Sequence, residues 1–81
     1  MNKPIVLAKK QILKIIFDNK DKFVHIGPEI SDLINTPAMH CMGCYNKTLY
    51  AKLDIILHKY NTDIFYILEQ MLGNKIELYP Y

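Results

Sequence analysis

The sequence predicts a mainly α fold: a small four-helix domain with a short two-stranded β ribbon, occupying residues 1–81 as a single unit. Three observations point there. Apolar residues recur at helical spacing over most of the chain. The strongest breakers, Gly27-Pro28, Pro37 and Gly73, stand where those stretches end. The composition is 51% hydrophobic against 22% charged, which belongs to a folded chain with one core. A chain this short buries only roughly 60% of the surface its unfolded form exposes. So much apolar material therefore implies either an unusually full core or an exposed contact face.

Asn2-Lys3-Pro4 opens with a capping residue and a proline suited to a first helical turn. Residues 5–18 then read as a helix, with Ile5, Ala8, Ile12, Ile15 and Ile16 on one stripe and Val6, Leu13 and Phe17 widening it. That arc is broader than one packing partner requires, so the helix is expected to be central or shared with another subunit. Asn19-Lys20-Asp21-Lys22 ends it. Phe23-Val24-His25-Ile26 is β-prone and stops at Gly27-Pro28, and a second helix follows over Glu29 to Ile34, with Pro28 at its first position. Pro37 stops that helix by pushing the residue before it out of the helical region.

The clearest period lies in residues 45–60, where Tyr45, Leu49, Leu53, Ile56, Leu57 and Tyr60 form one stripe. Asn61-Thr62-Asp63 reads as a turn and cap, Ile64 to Leu72 as a fourth helix, and Gly73-Asn74 as its C-terminal cap. The tail from Lys75 to Tyr79 alternates polar and apolar residues, so the ribbon is expected to pair residues 23–26 with 75–79.

Chemistry is most concentrated in Met39-His40-Cys41-Met42-Gly43-Cys44, which holds both cysteines. Two thiols at C-x-x-C spacing can chelate a soft ion, close a reversible disulfide, or pack as small hydrophobes. A zinc site needs further ligands. His58, fourteen residues after Cys44, and His25, sixteen before Cys41, are the candidates. Met39-x-Cys41-x-x-Cys44 is similar to the M-x-C-x-x-C loop of the heavy-metal-associated copper chaperone family, which would make Cys41 and Cys44 Cu(I) ligands. The resemblance covers six residues. In that family the loop follows a first strand, whereas almost forty residues of helical pattern precede it here. A thioredoxin-like dithiol also needs flanking strands, and Asp32 to Pro37 supplies none. Ser31 is the only serine, and no catalytic constellation emerges. The expectation is a non-enzymatic protein with no cofactor, zinc being the one alternative.

The order helix, short strand, short helix, turn, long helix also resembles a winged helix-turn-helix domain, in which Asn46, Lys47, Thr48 and Lys52 would meet a duplex. All ten basic residues are lysine, however, and the net charge is only +2. Arginine, which provides the commonest specific contact to guanine, is absent, and this disfavours nucleic acid as the partner. Six tyrosines supply most of the large amphipathic surface. Tyr50 and Tyr66 lie off or beside the main stripes and Tyr79 and Tyr81 on the tail, which makes these four the candidates for a partner-binding face. No stretch approaches the ~18 apolar residues of a membrane span, and two cysteines are too few for a secreted disulfide framework. The leading expectation is a cytoplasmic interaction or regulatory protein that docks to itself or to a larger protein. A nucleic-acid binder is the runner-up and a zinc-stabilised module the third reading.

Overall fold

The computed structural model describes residues 3–36 and 47–79. In chain order these form strand β1 (Ile5–Leu7), helices α1 (Lys9–Asp18) and α2 (Lys20–Phe23), a 3-10 turn (Val24–Ile26), helices α3 (Pro28–Ile34) and α4 (Lys47–Leu72), and strand β2 (Ile76–Leu78). The mainly α class holds, as do a short two-stranded ribbon and the positions of α1, α3 and both parts of α4. Three details differ from the sequence-based expectation.

The first helix begins four residues late. Ile5-Val6-Leu7 is a strand, its β-branched pair suited to a pleated surface, with Leu7 buried and Val6 pointing out. Ala8 is the turning residue: its N–H donates to Gln11 Oε1 at 2.7 Å while its carbonyl accepts from Ile12 N–H at 3.1 Å. The Gln11 side chain thus reaches back to the residue that opens the helix, as half of a capping box does. The broad arc seen in the sequence was therefore two surfaces, a strand face and a helix face. Ile5 and Ala8 fell into helical phase with Ile12 by spacing alone.

The ribbon has a different first strand. β1 pairs with β2 in parallel, Ile5 opposite Ile76, Val6 opposite Glu77 and Leu7 opposite Leu78. Ile5 N–H donates to Lys75 O at 2.7 Å and Tyr79 N–H to Leu7 O at 2.8 Å. The helical body serves as the long crossover that a parallel pair needs. Residues 23–26 are helical instead: Phe23 is fully buried and Ile26 half-buried, while Val24 and His25 are exposed. That burial has a spacing of three, as in a turn of helix, and not the alternation of a strand.

The expected turn at Asn61-Thr62-Asp63 is a kink. Helix runs from Lys47 to Leu72, and only Tyr60, at φ −124° and ψ 27°, leaves helical geometry. Asn61, the first residue beyond the kink, accepts the N–H of its neighbour Thr62 on its Oδ1 at 2.8 Å. The sequence-predicted cap at the far end is present, with Gly73 at φ +69° and its N–H bonded to Glu69 O at 2.8 Å. A Cβ is disfavoured in that left-handed conformation, which is why glycine commonly closes helices.

One core joins all these pieces. Ile12, Leu13 and Ile16 of α1, Phe23 of α2, and Ile30 and Leu33 of α3 meet Leu49, Leu53, Ile56, Ile64 and Leu68 of α4. Leu7 and Ile76 close it from the ribbon. Asn74 ties the two ends of the described chain together, its Nδ2 donating to Lys3 O at 2.9 Å. No helix among the described residues is long and apolar enough to cross a membrane.

Candidate functional site

Two features stand out beside the core, a groove and the latch that sets one of its walls. The groove encloses about 740 Å³ between the α2/3-10 segment and the second arm of α4. Lys22, His25 and Ile26 come from the first wall. Asp63, Tyr66, Ile67, Gln70 and Met71 come from the second. The second set follows i, i+3, i+4, i+7 and i+8, so it is one continuous face of the arm. Ile64 and Leu68 lie on the adjacent face and are fully buried. Ile26, Ile67 and Met71 are half-buried residues packed against the core, and they make the floor apolar. Tyr66, 63% exposed, stands on this face. It offers an amphipathic ring to whatever enters.

The latch lies at the start of α3. Glu29 Oε1 accepts from the Tyr60 hydroxyl at 2.5 Å, and Glu29 Oε2 from Lys59 Nζ at 2.6 Å. Lys59 Nζ also sits 5.5 Å from the centroid of the Tyr60 ring, within reach of a cation–π attraction. The Lys59 ammonium first and the Tyr60 hydroxyl second hold the Glu29 carboxyl down to about 2, from an ordinary 4.5. Hydrogen bonds to the charged form favour that form. The same carboxylate pushes Lys59 and Tyr60 up, each by its hydrogen bond to Glu29. Gly27, extended at φ −178°, is needed here for space and not for its backbone conformation. A Cβ at Gly27 would fall on the hydroxyl end of the Tyr60 ring. These contacts meet α4 at its bend, and the arm beyond the bend forms the groove's second wall.

The residues singled out from the sequence divide among several places. His25 lines the groove, and His58 is exposed on the first arm of α4 and does not line it. Cys41 and Cys44, the thiols of the zinc reading, lie outside the described residues. Among the described residues no three His, Cys, Asp or Glu side chains group as metal ligands would. Of the tyrosines, Tyr66 is in the groove, Tyr50 is half-buried against the core, Tyr79 is 54% exposed beyond β2, and Tyr81 is outside the described residues. Of the duplex-contact set, Lys47 and Thr48 are exposed, Asn46 is outside the described residues, and Lys52 is engaged. Lys52 Nζ bonds Asp32 Oδ2 at 2.9 Å and the Thr36 hydroxyl oxygen at 2.8 Å.

Sequence reasoning missed Lys22, Ile26, Asp63, Ile67, Gln70 and Met71 as groove residues. The signal was the second apolar stripe of the last helix, Ile67 and Met71, beside that of Ile64 and Leu68. It missed the latch because Glu29 and Tyr60 are distant in the chain and neither is unusual by itself. No protein family, no curated protein and no solved structure matches this chain.

Proposed function

We propose that this is a non-enzymatic interaction protein that takes an amphipathic helix of a larger protein into the groove between the α2/3-10 segment and the second arm of α4. One observation carries the reading: a complete helical face, Asp63 to Met71, lines the groove and turns Tyr66 and an apolar floor outward. Both walls are helical, so a third helix can lay apolar residues at i, i+3 and i+4 spacing between them. Lys22 and His25 stand on one wall and Asp63 on the other. Charge complementarity then favours acidic residues on the near flank of the incoming helix and a basic residue opposite. A reduced, cytoplasmic setting belongs to the same reading, supported by a chain with only two cysteines.

The test is selection from a displayed library of amphipathic helical peptides, followed by NMR mapping of the selected peptide on the folded protein. Resonance shifts centred on Ile26, Tyr66, Ile67 and Met71 are expected. Tyr66→Ala should weaken binding by about tenfold or more, as removal of an interface aromatic does. Peptides that bind with full affinity to Tyr66→Ala, or that map to another face, would sink the proposal.

A further inference from the structure

We propose that the chain exchanges its C-terminal arm with a second copy of itself, α4 running straight through Tyr60 and residues 61–78 packing on the other protomer. The hinge is the one interruption in a 26-residue helix. Helix kinks ordinarily trace to proline, glycine or a side chain inserted into the ladder. Neither proline nor glycine occurs between Lys47 and Leu72. At the bend stand Asn61, whose Oδ1 accepts the N–H of its neighbour Thr62, and contacts reaching in from another element: the Glu29 carboxylate on Tyr60 and Lys59, and the gap left by Gly27. Asn61-Thr62-Asp63 weakens the helix locally just beyond the bend, and the contacts from Glu29 to Lys59 and Tyr60 brace the bent form.

The segment beyond the hinge identifies the occupant as a copy of this chain. The second arm and β2 bury Ile64, Leu68 and Ile76 in the core, and β2 supplies the parallel partner of β1. Once this unit swings away, it leaves a seat shaped for those three side chains and one strand ladder. Only an identical arm replaces all of them at once. An exchanged pair regains every contact of the arm, so the difference between the two forms is confined to the latch and the hinge. In the exchanged form the groove is built by two chains, Lys22, His25 and Ile26 from one protomer and Asp63 to Met71 from the other.

The experiment uses the strand register. Val6 and Glu77 are direct neighbours across the ladder and both are exposed, so Val6→Cys with Glu77→Cys reports which chain supplies β2. Cys41→Ser and Cys44→Ser remove the native thiols. The full chain is refolded at high concentration, separated by gel filtration, oxidised, and run on a denaturing gel without reductant. A dimer fraction that becomes covalently dimeric is expected. Glu29→Gln and, more gently, Tyr60→Phe should raise that fraction severalfold at equal protein concentration. Tyr60→Phe removes a single hydroxyl and carries the measurement if Glu29→Gln does not fold. Dimers linked only within each chain, or variants that remain monomeric at the highest concentration reached, overturn the proposal. The groove is rebuilt from the same residues in either form, so failure here is separable from failure of peptide binding.

Discussion

The two arms of α4 share one helix and do different work. The first arm is tied on several sides. Leu49, Leu53 and Ile56 are buried, Lys52 reaches Asp32, Lys59 reaches Glu29, and Asp54 takes the Lys9 ammonium at 2.5 Å. The second arm is anchored by Ile64 and Leu68, and Glu69 Oε2 accepts the N–H of Ile76 at 3.4 Å. Among its described residues no ion pair reaches another element. Its outer face lines the groove. A helix with two apolar stripes can commit one to the core and present the other to a partner, provided something outside it fixes its direction. The latch at Tyr60 is that fixture.

The contrast is broken most strongly in the shared core. Leu53 and Leu68 are fully buried side chains, one on each arm. Leu53→Ala and Leu68→Ala should each cost about 2–5 kcal/mol, read by urea unfolding. Near-equal losses mean that the arms belong to one cooperative core. A much smaller loss for Leu68→Ala would make the second arm a separately docked piece.

The latch comes next. A methyl group at Gly27 must displace the Tyr60 ring. Gly27→Ala should therefore destabilise by about 1–3 kcal/mol, the ordinary cost of overpacking. In a Tyr60→Ala background the same change should become neutral or stabilising, since alanine is compatible with an extended backbone and restricts the unfolded chain. A double-mutant cycle checks the sign change.

Acid probes the same contact. Glu29 holds its proton less tightly when folded, at about 2 against 4.5, because the Lys59 ammonium and then the Tyr60 hydroxyl donate to its carboxylate. Between those values the unfolded chain binds more protons, so the stabilisation is complete above about pH 4.5 and is lost as pH falls towards about 2. Glu29→Gln should flatten this part of the unfolding profile, measured from neutral to strongly acidic pH. A profile unchanged by the substitution would remove Glu29 as the source.

The smallest effects are expected on the outer surfaces. Tyr66→Ala should change stability by less than about 0.5 kcal/mol while weakening peptide binding by about tenfold or more, the mark of a surface kept for binding. Lys52 forms a partly exposed ion pair with Asp32. Lys52→Ala should accordingly cost ~0.2–1 kcal/mol in thermal unfolding. A larger loss would mean that the first arm depends on its polar ties as much as on its buried stripe.

Much of this architecture is local and was therefore legible in the chain itself. Pro28 opens α3, Gly73 closes α4 with a positive φ, and the Leu49–Leu53–Ile56 stripe is buried where its period puts it. Helix periods and end signals act within a few residues, which is the range a sequence displays directly. Three decisions required the whole fold. Ile5-Val6-Leu7 is a strand because Ile76-Glu77-Leu78 arrives beside it, although its spacing also suits a helix. Residues 23–26 are a helical turn because Phe23 and Ile26 pack inward together, against their β-prone composition. The bend at Tyr60 adjoins the break read at Asn61-Thr62-Asp63, but its brace, Glu29, is 31 residues earlier in the chain. Backbone propensity differs by about 1 kcal/mol between such alternatives, and burial or a charged hydrogen bond outweighs it. The sequence by itself determined a helical body with one core and well-marked ends. Tertiary packing decided which short segments became strands, what braces the bend of the long helix, and hence how the walls of the groove face each other.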